Sequence, residues 1–292
     1  MRVPHVLRST FRNPVLRREA RVRMRGWRAP ALVTAYVGLL SSVAALIFYA
    51  FSRTEGPAAF APELASIIFI ALALVQLGLL VLAAPGLTAG AISGERERQT
   101  LDLLLVTHMS PFQVVIGKLG AAVGFALLLM FASLPVYGLL FLFGGFSLYR
   151  LFLTALIYVV TVLLLGSLGL YFSAVFKRTQ AAVVTSYALA IGTMIASPIL
   201  AIFVYQVFNL GPNWQAPTWG LILAYINPLF GLAAAAGPPM NEMLELFGPI
   251  LKTPELQEAI WWKFCLTALA IMALLVWRTT VKITPLKNNS SV

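Results

Sequence analysis

A chain of 292 residues is long enough for two soluble domains, but 60% of its residues are hydrophobic and only 11% are charged. Soluble domains carry about 45–50% apolar and about 25% charged residues. With a mean hydropathy of +0.89, the chain cannot cover a water-soluble globule, and its apolar content excludes disorder. The composition specifies an all-α, multi-span membrane protein.

The N-terminal segment 1–30 carries nine arginines. Within it, Asn13 is a good N-cap and Pro14 a good first helical residue. Leu16, Ala20, Met24 and Trp27 then share one helical face, with Arg17, Arg18, Arg21, Arg25 and Arg28 on the others. That pattern predicts an amphipathic helix lying in the membrane interface, its arginine heads reaching lipid phosphates.

A bilayer core of about 30 Å needs roughly 20 apolar residues in a helix. Six stretches qualify, about 31–51, 64–92, 119–145, 149–175, 181–208 and 260–277. The first is too long and too far from the N-terminus for a signal peptide's apolar region. Between the second and third lies 93–118, SGERERQTLDLLLVTHMSPFQVVIGK. A charged turn is followed there by an apolar patch too short to span, and Ser110-Pro111 restarts a helix. Leu103, Leu104 and Leu105 must dock on something, either the chain's own helix ends or a partner's groove.

Residues 219–236 are apolar, but Pro228 disfavours helix at Asn227. We therefore expect 209–259 to form an outer, partly re-entrant segment before the last span, since such backbone is tolerated at membrane depth only against protein or water. The tail is 278–292.

With both termini cytoplasmic, segments 1–30, 93–118, 176–180 and 278–292 hold 17 of the 21 Lys and Arg residues. Lys and Arg accumulate on the cytoplasmic side, so the net charge of +11 orients the chain in a lipid membrane and gives no reason to invoke nucleic acid. The domain organisation expected is thus a cytoplasmic 1–30, a transmembrane unit over 31–277 and a cytoplasmic tail.

Asn13-Pro14, the Arg-rich helix, Gly94 to Glu97, Thr100 to Leu105, Ser110-Pro111 and Gly117-Lys118 occur in that order, with Asn227-Pro228-Leu229 before the last span. Together they resemble permease subunits of the ABC type-2 exporters. The resemblance implies a dimer of permeases, homo- or heteromeric, bound to two cytoplasmic ATPase subunits in a prokaryotic inner membrane. It implies that 93–118 carries a coupling helix, with Glu95, Arg96, Glu97, Thr100, Asp102 and Leu103 as the ATPase contact. The N-terminal amphipathic helix, through Asn13, Pro14, Arg17, Arg18, Arg21, Arg25 and Trp27, would lie against the same ATPase. Asn227 and Pro228 would belong to an outer gate.

The residues needed for other chemistry are missing. Phe112 stands where a phosphate-cradling loop ending in Gly117-Lys118 needs glycine, so ATP and magnesium are expected on a partner chain and no cofactor on this one. The only histidines are His5 and His108, and the only aspartate is Asp102. That excludes an HExxH zinc site and an aspartyl dyad within one chain. Gln76, Gln180 and Gln206 are the main polar side chains of the spans, whose lack of charge argues against ion coupling. Gly120, Gly124, Gly166 and Gly169 suggest close helix contacts. The function expected is ATP-driven export through a permease subunit. The alternative is a non-transporting scaffold or assembly factor that docks a cytoplasmic partner.

Overall fold

A computed structural model describes residue 19 and residues 26–55, 62–100, 110–207, 225–237, 240 and 254–284. Its helices are α1 (Arg28–Glu55), α2 (Pro62–Thr88), α3 (Ser93–Glu97), α4 (Pro111–Leu142), α5 (Leu148–Val175), α6 (Thr179–Val207), α7 (Pro228–Ala236) and α8 (Pro254–Ile283). No strand occurs among the described residues. Six helices are long and apolar enough to cross a membrane: α1, α2, α4, α5, α6 and α8. They coincide with the six apolar runs of the sequence. The third begins earlier than its apolar run, because Ser110 and Gln113 form a reciprocal capping box ahead of Pro111. Lys118 therefore lies inside α4 rather than in a loop.

The bundle is organised around α5, which packs against α2, α4, α6, α7 and α8, while α1 packs on α2 and α4. Lipid tails are as apolar as leucine, so close packing rather than burial holds such helices together. At Gly169 an added Cβ would overlap the Thr88 hydroxyl and stand 3.2 Å from the Ala89 amide nitrogen. Gly166 is similarly crowded by Leu119, but Gly124 faces open space. Of these three glycines, two make close contacts and one does not.

Successive spans alternate in direction. One end of the bundle gathers the end of α2, the start of α4, the ends of α5 and α8, and α3, around Ile92, Val115, Leu119, Leu170, Ala174, Val276 and Ile283. At the opposite end α4 turns into α5 through Gly144 and Gly145, at φ 79° and 90°. A Cβ on Gly145 would overlap the Pro62 carbonyl oxygen, so the turn and the start of α2 meet only because that residue is glycine. Phe146 beyond the turn stacks on Phe69 of α2 with ring centroids 4.4 Å apart.

Candidate functional site

The charged sequence after the second span forms an elbow. The chain leaves α2 at Thr88, turns, and makes the single helical turn of α3. Ser173 of α5 seals the turn by accepting hydrogen bonds from the backbone N–H groups of both Ile92 and Ser93, each at 2.9 Å. The end of α3 is closed by two backbone bonds, Gln99 N–H to Arg96 O at 3.1 Å and Thr100 N–H to Glu95 O at 2.9 Å. This is the Schellman pattern. Its left-handed position is filled by Gln99 at φ 56°, where glycine would be unstrained. The Thr100 hydroxyl also donates to Glu95 O, at 3.2 Å.

Each charged side chain of α3 engages a different helix. Arg96 donates to Phe176 O and Ala174 O, both at 3.3 Å, neutralising the carbonyls that terminate α5. Glu97 accepts from the Thr179 N–H and hydroxyl, both at 2.8 Å, at the positive end of α6. Those bonds, the backbone one foremost, hold its carboxyl below the ordinary carboxylate range, with help from the Arg178 charge. Glu95 accepts from Lys118 Nζ at 2.9 Å, and Lys118 also meets Glu19 at 3.2 Å. Lys118 is only 1% exposed, so its ammonium depends on those two carboxylates. The second oxygen of Glu95 is buried and has no hydrogen-bond partner among the described residues. A recess of about 500 Å³ opens here between Glu19, Glu95, Glu97, Arg98 and Thr179.

The structure thus brings together Glu95, Arg96, Glu97 and Thr100, and every one bonds within the chain. Glu97 and Thr100 also present exposed surface. Asp102 and Leu103 lie outside the described residues, as do Asn13, Pro14, Arg17, Arg18, Arg21 and Arg25. Trp27 is described and is 82% exposed. Sequence reasoning missed Lys118, Ser173 and Thr179 as partners of the elbow. Only Lys118 left a trace, being a cation placed seven residues beyond a proline-initiated helix start.

The second candidate locus is the start of α7. Asn227 is extended (φ −89°, ψ 121°) and its Oδ1 accepts from the Leu229 N–H at 2.8 Å, so it caps the helix that Pro228 begins. Its Nδ2 donates to Thr193 O and Met194 O, at 3.4 and 3.2 Å, and to Ser197 Oγ. Nearby, Thr267 donates to Tyr225 O at 2.6 Å and Lys263 to the Tyr225 hydroxyl at 3.1 Å. At nine residues, or about 14 Å at a rise of 1.5 Å per residue, α7 cannot itself cross a bilayer.

A bundle of six apolar spans with a charged elbow between its second and third helices defines a multi-pass membrane protein. The chain belongs to the ABC-2 family of transporter proteins, whose family model matches residues 14–276. No curated protein sequence matches it significantly.

Proposed function

We propose that this chain is the permease subunit of an ATP-driven exporter, working as a homo- or heterodimer with a separate cytoplasmic ATPase that holds ATP and magnesium. Family membership supports the permease role. The observation that carries the mechanism is the attachment of α3 to three helices at once: Glu95 to α4, Arg96 to α5 and Glu97 to α6. A force applied to α3 is therefore delivered to α2, α4, α5 and α6 together. In this reading the exposed edge of α3, Glu97 to Thr100, together with Asp102 and Leu103, meets a groove on the ATPase. Closure of paired ATPases on ATP pushes the two elbows together. The interfacial helix, tied to the elbow through Glu19 and Lys118, moves with them.

The basic residues favour a cytoplasmic elbow. Arg96, Arg98, Lys118, Lys177, Arg178, Arg278 and Lys282 lie on segments that meet at the elbow end of the bundle, as the positive-inside tendency requires. Both termini are then cytoplasmic, the membrane is a prokaryotic inner membrane, and α7 is the deep part of an outer re-entrant segment. Asn227 and Pro228 fix that segment to α6 and form the hinge side of an outer gate.

The test is affinity purification in mild detergent with identification of co-purifying chains. An ABC ATPase is expected with the wild type and is lost with Leu103→Asp, while membrane insertion is unchanged. Purification of the wild type without an ATPase, or retention by Leu103→Asp, overturns the coupling role. ATP binding by the purified chain alone overturns the division of labour.

A further inference from the structure

Helices α5 and α6 form a hairpin, closed at the elbow by the turn 176–178. At the other end of the bundle, where α5 begins and α6 finishes, no short turn joins them. The element that lies across this open end is α7. It starts after Asn227, which is 1% exposed and donates its side-chain amide to Thr193 O, Met194 O and Ser197 Oγ of α6. It finishes at Gly237, φ 74°, and the guanidinium of Arg150 from the first turn of α5 is laid against that glycine. A Cβ on Gly237 would stand 2.6 Å from Arg150 Cζ and 2.9 Å from Nε and Nη1.

The lengths fit a strap between the two helices. Counted from the shared turn, Arg150 lies 25 residues back along α5 from Val175, and Met194 lies 15 residues along α6 from Thr179. At 1.5 Å per residue their heights are about 38 Å and about 23 Å. The difference of about 15 Å matches the length of α7, about 14 Å. Thus α7 climbs from Asn227, deep in the bundle, to Arg150 at its rim.

Its two attachments are unequal. Asn227 is buried, and its loss would strand several acceptors at once. Arg150 is half-buried and pulled two ways. As the third residue of α5, it sits at that helix's positive end, which disfavours a cation, whereas the last carbonyls of α7 favour one. The start of α5 does not need its side chain, because Ser147 caps the helix by accepting from the Arg150 backbone N–H at 3.3 Å.

We infer that Arg150 is a positioning residue that latches the C-terminal end of α7 onto α5, with Asn227 as the fixed end, so that release of one guanidinium frees the open end of the α5–α6 hairpin. The inference rests on the reading of Asn227 and Pro228 as the hinge side of an outer gate, and it names the opposite side.

The full chain in nanodiscs tests it by amide hydrogen exchange, which reports local opening. Arg150→Met should raise exchange over 229–237 several-fold and leave α4 and the elbow unchanged. Arg150→Lys, which keeps the charge, should retain most of the protection. Spin labels on cysteines at 152 and 199, which are 66% and 59% exposed in the native chain, span the open end in a Cys265→Ser background. Their distance distribution should broaden in Arg150→Met and stay narrow in Arg150→Lys. Unchanged exchange over 229–237 in Arg150→Met overturns the latch. So does an equal rise in Arg150→Lys, or a rise shared by every span, which would make Arg150 a general stabiliser. Neither measurement needs an ATPase, so their failure removes the latch alone, whereas purification without an ATPase removes the export reading.

Discussion

The side-chain amide of Asn227 donates to the carbonyl oxygen of Met194, the one acceptor in α6 that Pro198, four residues on, cannot serve because it lacks an N–H. A break in one helix is thus completed by the cap of another. Asn227→Ala should cost about 1–3 kcal/mol, the penalty for leaving buried acceptors unpaired. In a Pro198→Ala background the helix recovers its own donor, and the same substitution should cost markedly less. Thermal midpoints of the four proteins in detergent check this. Equal costs in both backgrounds would separate Asn227 from the proline.

Lys118 holds two carboxylates from parts of the chain 99 and 23 residues away. Lys118→Met should destabilise by about 1.5–3 kcal/mol, the range for a hydrogen-bonded charge, and should leave Glu19 and Glu95 repelling one another. Adding Glu19→Gln and Glu95→Gln to Lys118→Met should restore part of the loss, since a neutral cluster is tolerated where a broken ion pair is not. Chemical denaturation of the single and triple variants in detergent measures the difference.

Acid should unlatch α3 from α6. The Glu97 carboxyl is held below its ordinary value of 4.5 by Thr179. The latch is therefore complete above pH 4.5 and is lost as the pH falls through the lowered folded value. Spin labels on cysteines at 98 and 180, in a Cys265→Ser background, should report a constant short distance above that window and a longer one below it. In Glu97→Gln the distance should not depend on pH.

Impermeant thiol reagents on intact cells test the proposed orientation. With single cysteines at 245 and 288 in the Cys265→Ser background, position 245 should label and 288 should not. The reverse pattern would put the tail outside and overturn the orientation proposed here.

Much of the architecture was legible because it rests on local chemistry. Runs of apolar residues marked the six spans and Ser110-Pro111 marked the start of α4, whereas Pro228 read only as a break at Asn227, although the pair caps and begins α7. The partners of the elbow were not legible, because Glu97 and Thr179 lie 82 residues apart and nothing in either segment announces which helix end will be its neighbour. The charges of α3 look like a solvated face in the sequence, and only the packing of α2 against α5 and α6 turns them into caps.

The Ser173 hydroxyl closes the break between α2 and α3 with two bonds to backbone amides, using a side chain where a soluble protein would use water. A helix break solvated by water is anchored at the membrane surface, because its amides cannot follow the chain into lipid. A break dressed by its neighbour has no such mooring. On the proposed mechanism the joint between the second span and the elbow would move with α5, its travel set by the reach of its charged side chains and not by the water line.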